Sequence, residues 1–343
     1  MFKHNMETTK EHFDLWWKRE NKRPIISIYY PFTKFVYKDI NEYTDCEMNI
    51  RLFTEEHRRK TFLSDCIPDI SSYLGPGSLA TFLGAEPVYS DATIWYDSTI
   101  DSPDCIFEYI KNPAKWYEWS LNATRKYVNE IAEFRTSMPD LEQNLDILSA
   151  IISPENLLMM LIDEKPLVME LLEQLHGFWK KAFFAHANAL MDKDGYTSYG
   201  HYNIIGKGYT SVLQSDISIM LSPDMYDEFE APYLLRQSEE LDNILYHLDG
   251  PGAIRHLDTI LSIGKIAAVQ WVPGAGQPDN YDESWYPLYD RILKSGKGIY
   301  VHLAKENVMP FLDRFGSKGV FIGTTVKHIN EEMALLEKID KKF

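Results

Sequence analysis

Between Tyr209 and Gly276 the chain three times sets a short apolar run against an abrupt polar turn. Tyr209–Leu213 ends in Gln214-Ser215-Asp216, Asn243–Tyr246 ends in His247-Leu248-Asp249-Gly250, and Ile266–Val269 ends in Gln270-Trp271 before Pro273-Gly274-Ala275-Gly276. Amphipathic segments of helical length separate these runs. Short buried strands alternating with helices predict a parallel sheet covered by helices. Such a sheet gathers its reactive side chains where the strands end, because the loops converge there. Asp216, His247, Asp249 and Gln270 all stand at such ends and form the candidate site.

The rest of the chain extends the alternation. Lys10–Glu20 reads as a helix with Phe13, Trp16 and Trp17 on one side, part of a helical cap over residues 1–22. Ile25–Tyr30 reads as the first strand, Glu47–Phe62 as a helix, and Leu63–Ile70 as a second strand carrying Asp65 and Asp69. Residues 84–120 are rich in Tyr, Trp, Asp and Pro with little periodicity, and read as a long excursion that includes Trp95. Leu121–Ala132 follows as a helix, Glu133–Ser137 as a third strand, and Ser153–Met191 as one long helical stretch. Gly195–Gly200 and Tyr209–Leu213 compete for the fourth strand, with the second preferred. Ser222 caps and Pro223 opens a helix running to about Leu241. After Ile266–Val269, strands are expected at Gly298–Val301 and Val320–Ile322, and a last helix at Asn330–Lys338 with Met333, Leu335, Leu336 and Ile339 inward. Eight strands in a single domain over 1–343 predict a (β/α)8 TIM barrel.

Composition narrows the partners. Asp and Glu number 51 against 35 Lys and Arg, a net charge of −16, so nucleic acid and anionic membrane are poor partners. The charged N-terminus and the lack of an 18-residue apolar run lead to the expectation of a soluble, cytoplasmic protein. Cys46, Cys66 and Cys105 have no CxxC spacing, which argues against a disulfide framework or a thiolate zinc site. The Pro273–Gly276 turn matches neither a P-loop nor a dinucleotide fingerprint. His247 and Asp249, two apart at a strand end, can face one pocket. Asp216 closes an apolar strand, where a carboxylate is costly unless paired or at work. His302 at the end of the seventh strand is a further metal or acid–base candidate, and His201 in Tyr199-Gly200-His201-Tyr202 lies beside a Gly-rich loop.

Several stretches together resemble the uroporphyrinogen decarboxylase superfamily. They are Leu213-Gln214-Ser215-Asp216, the Leu221–Phe229 block with Pro232-Tyr233 behind it, and the His247-x-Asp-Gly turn; less specific are the Leu-Gly-Pro-Gly turn at 74–77 and the terminal strand beginning Phe321-Ile-Gly-Thr-Thr. The similarity runs over roughly residues 60–340 and implies a barrel with its pocket at the strands' C-terminal face. The family's true decarboxylases carry an Arg-rich signature at the end of strand one, where this chain has Ile28-Tyr29-Tyr30-Pro31-Phe32. Eight substrate carboxylates would go unpaired there. The thiol-directed methyltransferases of the family use a His-x-Cys turn for zinc; Asp249 replaces that Cys. The resemblance therefore implies a methyltransferase of a corrinoid-dependent demethylation system, with Asp216, His247 and Asp249 as catalytic residues. A metal, with Zn2+ the first candidate, would use His247, Asp249 and His302 or Asp216. Substrate contacts are expected from Gln270, Trp271, His201, Tyr199, Asp69 and Trp95. The partners so implied are a small O- or N-methylated molecule, a corrinoid (cobalamin) protein as methyl acceptor, and a second copy of the chain in a homodimer. The alternatives are a decarboxylase of another carboxylate, using Arg23 or Arg255, and a non-catalytic ligand- or corrinoid-protein-binding barrel.

Overall fold

The computed structural model describes residues 3, 5–31, 35–90, 93–97, 103–141 and 143–343. Phe32, and residues 91, 92 and 98–102 of the expected excursion, lie outside the described residues. In chain order the strands are β1 Ile25–Tyr29, β2 Asp69–Ile70, β3 Glu86–Ser90, β4 Thr93–Asp97, β5 Arg135–Thr136 and β6 Tyr196–Tyr199. They continue with β7 Ile204–Lys207, β8 Thr210–Gln214, β9 Asn243–Asp249, β10 Ala268–Val272, β11 Gly298–Leu303 and β12 Val320–Thr325.

Six strands form one parallel sheet in the order β1-β12-β11-β10-β9-β8. Every expected strand from Tyr209 onward is in it, as is Ile25–Tyr29. Their registers align Gln214 with His247, His247 with Gln270, and Gln270 with Tyr300. One level row of side chains thus crosses four neighbouring strands, which is what later positions the site. Helices pack on this sheet, giving an α/β architecture compatible with a TIM-barrel-like fold.

The second and third expected strands shrink to β2 and β5, two residues each, which pair in parallel with one another. The cause is local. Along the expected strand Leu63–Ile70, Pro68 has no N–H to give, and side chains take over the ladder's work. Ile26 N donates to Asp65 Oδ2 at 2.9 Å and Ile28 N to Ser64 Oγ at 3.1 Å. Asn203 completes the substitution: its Oδ1 accepts from Ile67 N at 3.0 Å and its Nδ2 donates to Ile67 O at 2.9 Å. The run 195–200 forms an antiparallel hairpin, β6 with β7, while Tyr209–Leu213 supplies the strand of the main sheet.

The expected excursion is more regular than its sequence implies. It contains the antiparallel hairpin β3–β4, a helix at Asp104–Lys111 and the start of a helix at Lys115–Glu130. Ser153–Met191 is two helices, Pro154–Asp163 and Lys165–Leu190. Ser153 takes φ +78° and its Oγ accepts from Asn156 N, capping the first of them. A third helix, Asn144–Ile152, meets Pro154–Asp163 at 114°. Among the described residues no single helix is long and apolar enough to cross a membrane. In the last helix, Ile329–Lys342, Leu335 and Ile339 are buried as expected, whereas Met333 is exposed.

The N-terminal helix, Met6–Trp17, lies against the strands' N-terminal ends. Trp16 and Phe13 meet Phe321 edge-on at centroid distances of 5.5 and 5.6 Å, and His12 Nδ1 reaches Asp65 Oδ1 at 2.7 Å beside Ile26. Trp17 Nε1 donates to Ile205 O at 2.8 Å. The opposite ends of the strands are left free for chemistry.

Candidate functional site

His247 and Asp249 sit two apart on β9, so the strand's alternation turns both to one face. Gln270, level with His247 on β10, holds the imidazole by a hydrogen bond between Gln270 Oε1 and His247 Nδ1 at 2.6 Å. A carbonyl oxygen only accepts, so Nδ1 donates and the lone pair of the neutral ring falls on Nε2. Tyr202 packs edge-to-face on the same ring, centroids 5.4 Å apart, and its hydroxyl donates to Gln214 Oε1 at 3.0 Å. Two neighbours therefore hold the histidine, and Gln214 holds one of them.

Asp216 reaches the same place from the next loop. β8 stops at Gln214, and a 3-10 turn, Asp216–Met220, begins two residues later. That turn is pinned by Asp146, whose two carboxyl oxygens accept from Asp216 N and Ile217 N, each at 2.8 Å. The outcome is a group of ligating atoms from Asp216, His247 and Asp249 that lie within 4.8 Å of one another. Asp216 Oδ1 is enclosed yet has no hydrogen-bond partner. A buried acceptor left open in this way is costly unless something comes to it.

The electrostatics agree with a cation-seeking site. Burial raises the Asp216 carboxyl above the ordinary range; His247 pulls it back and Asp249 pushes it further up. Burial likewise lifts Asp140 to about 7 and Asp146 to about 8, with the Asp216 charge adding to both. Two carboxyls stand beside the imidazole, and the Asp216 charge is felt by two more. A divalent ion would relieve that crowding, and one nitrogen with two carboxylates is a donor set that Zn2+ and neighbouring divalent metals accept.

A cavity of about 580 Å³ opens over Asp216, walled by Trp95, Tyr96, Ile217, Ile219 and Met220 with Asp146 at its side. Trp95, an expected substrate contact, is one of its walls. Asp69 and His201 line a different cavity, of about 360 Å³, bounded largely by aromatic rings. From this second cavity a short chain of rings leads to the metal-capable group: His201 lies 4.9 Å from Tyr202, whose ring centroid lies 5.4 Å from that of His247.

Three expected residues stand apart. Trp271 is fully buried against Trp285, centroids 5.0 Å apart, because strand alternation turns it away from Gln270. It belongs to the core rather than to a ligand surface. Tyr199 is also buried; its hydroxyl donates to Asp140 Oδ1 at 2.8 Å and accepts from Leu141 N at 2.9 Å. His302 stacks on Tyr29 at 5.8 Å over Gly323, where an added Cβ would meet His302 Nδ1 at 2.7 Å. It is not in the metal-capable group. With one strand between β9 and β11, about 10 Å separates them. Asp65 is structural, bonded to His12, Arg23 and Ile26 N. Arg23 also pairs with Asp340, and Arg255 bonds Gly252 O.

Sequence reasoning passed over Asp146, Asp140, Gln214 and Tyr202. Asp146 had a signal, a lone carboxyl in the apolar stretch Leu145–Ile152, where burial makes an acid expensive without a task. Gln214 ends its strand as Gln270 ends its apolar run. Tyr202 had none: its place depends on the β6–β7 hairpin.

No family model and no curated protein matches this chain. Among solved structures, a methyltransferase from Methanosarcina mazei shares the fold at a TM-score of 0.65 and 10% sequence identity, covering 97% of this chain and 98% of that one.

Proposed function

We propose that this protein is a methyltransferase that moves a methyl group between a small O- or N-methylated molecule and a corrinoid carried by a separate protein. In this reading the short strands close the main sheet into a (β/α)8 barrel of the uroporphyrinogen decarboxylase type. The observation that carries the proposal is the convergence of Asp216, His247 and Asp249 within 4.8 Å. The shared fold with a methyltransferase supports it at the level of architecture.

Asp216, His247 and Asp249 would hold a divalent ion, Zn2+ first among the candidates. When bound, that ion supplies Lewis acidity to the heteroatom that loses its methyl group, a poor leaving group otherwise. The chain's own residues prepare the site. Gln270 fixes the tautomer that leaves His247 Nε2 as the ligand nitrogen. Asp146 holds the turn so that Asp216 Oδ1 faces no protein donor. Burial shifts Asp216 towards the protonated form, and a bound cation would draw its carboxyl back towards the ionised one. Trp95, Tyr96 and Met220 offer apolar surface to a methylated substrate and exclude water from it. Trp95 and Met220 are 62% and 54% exposed, giving a mouth on which the flat face of a corrin can rest.

A decarboxylase of this kind would need cations for the substrate's carboxylates. Among the described residues lining the two cavities there is no Lys or Arg. Metal analysis of purified protein tests the first half of the proposal: a stoichiometric divalent ion should be present and be lost from Asp216→Ala and His247→Ala. Incubation with reduced cobalamin and a panel of methylated aromatics and methylamines tests the second. Methylcobalamin absorbance should grow with at least one donor and fall by about 100-fold or more in either variant. Metal bound but no methylcobalamin from any donor would overturn methyl transfer, and carbon dioxide release would replace it with decarboxylation.

A further inference from the structure

The cavity beside Asp69 has a chemistry that the metal-capable group does not explain. Its walls include Tyr37, Tyr43, Tyr73, Trp119 and Tyr127, and Asp69 is its one carboxylate among the described residues. We infer that this cavity is a binding subsite for an alkylated ammonium cation, seated among aromatic rings and neutralised by Asp69.

Ring faces carry the negative lobe of the π quadrupole, so several of them around one space attract a positive charge that has little need of hydrogen bonds. Two of these rings have their polar edges engaged. Tyr37 Oη donates to Asn49 Oδ1 at 2.8 Å and Trp119 Nε1 to Thr44 O at 3.0 Å. A ligand rich in N–H donors would find few acceptors here, whereas N-methyl groups need only ring surface. A metal ion is a poor occupant, since it needs several oxygen or nitrogen ligands. Among the described residues the one such group lies at Asp216, not at Asp69.

The carboxylate's setting strengthens the case. Arg135 pairs with Asp69 in the β2–β5 register, yet its guanidinium is committed to Asp192 Oδ2 at 2.8 Å and Tyr196 O at 3.2 Å. Gly200 gives the Asp69 carboxylate its room: a Cβ there would lie 1.9 Å from Asp69 Oδ2. Burial lifts the Asp69 carboxyl to about 6, with Ser137 and Arg135 pulling it partly back. A cation in the cavity supplies the charge that the ionised form lacks.

Binding here does not require methyl transfer. Taken with that reading, on which this step rests, the subsite selects substrates with a quaternary or tertiary ammonium head. The test measures binding alone, so a failure of methyl transfer leaves it intact. Calorimetric titration of the full chain would compare choline with 3,3-dimethylbutan-1-ol, its neutral isostere. The expected result is saturable choline binding at least about tenfold tighter than the isostere. Asp69→Asn should remove most of that preference while keeping the wild-type circular dichroism. Equal affinity for the two molecules, or no choline binding, overturns the proposal even if the variant fails to fold. So does a folded Asp69→Asn protein with the preference unchanged.

Discussion

Asp140 and Asp146 show how much a single buried carboxyl can set. Neither is in the metal-capable group, but one receives the Tyr199 hydroxyl and the other holds the backbone of the Asp216 turn. Burial raises both above the ordinary value of 3.8, to about 7 and about 8. The folded state therefore keeps protons that the unfolded chain releases near pH 4. A raised carboxyl stabilises fully below the unfolded value and loses that contribution as pH rises through the folded one. Metal-free protein should accordingly melt at progressively lower temperature between about pH 4 and pH 8. Asp140→Asn, which mimics the neutral form, should flatten part of that decline in a thermal scan across pH. A melting temperature that climbs over the same interval would refute the assignment.

At the scale of the element, β9 and β10 build the site as a pair. Their register sets Gln270 level with His247, and this one contact decides which imidazole nitrogen is free. Gln270→Ala should leave the fold intact yet weaken divalent-ion binding about 10- to 100-fold in a calorimetric titration, as loss of a ligand's orienting partner typically does. This row was legible in the sequence because its strands are continuous apolar runs with abrupt polar ends. The period-two rule also separates Trp271 from Gln270, and the sequence reading failed to apply it. β2 and β5 were overestimated for a different reason. Their neighbourhood is held by side chains distant in sequence, such as Asn203 on Ile67, and no local pattern reports such bonds. The break at Glu164 was masked by an apolar stripe running through both helices, although Pro166 marks it. His302 has the right parity on its strand, but parity is blind to how many strands lie between two residues.

In the whole molecule the N-terminal helix and the sheet form one unit. Phe13 and Trp16 are fully buried and meet Phe321, whose other side stacks on Tyr300 at 3.9 Å. Trp16→Ala should cost about 3–5 kcal/mol in urea unfolding, the usual range for emptying a large aromatic site. The helix was expected to be a cap; Phe13 and Trp16 place it in the core. Fold class was legible from the alternation of runs, while the aromatic cavity at Asp69 was not, because its walls come from residues 35 to 201 and meet only in three dimensions.

β1 pairs with β12, Ile25 opposite Phe321 and Tyr29 opposite Thr325. During synthesis β1 must therefore wait for β12. Until some 290 further residues have emerged, its outer edge and the apolar faces of Phe13 and Trp16 have no native partner. Folding of the nascent chain is consequently weighted towards completion of synthesis, with high contact order and a long exposure to aggregation. Loss of β12 would leave β1 without its partner strand and take Phe321 away from Phe13 and Trp16.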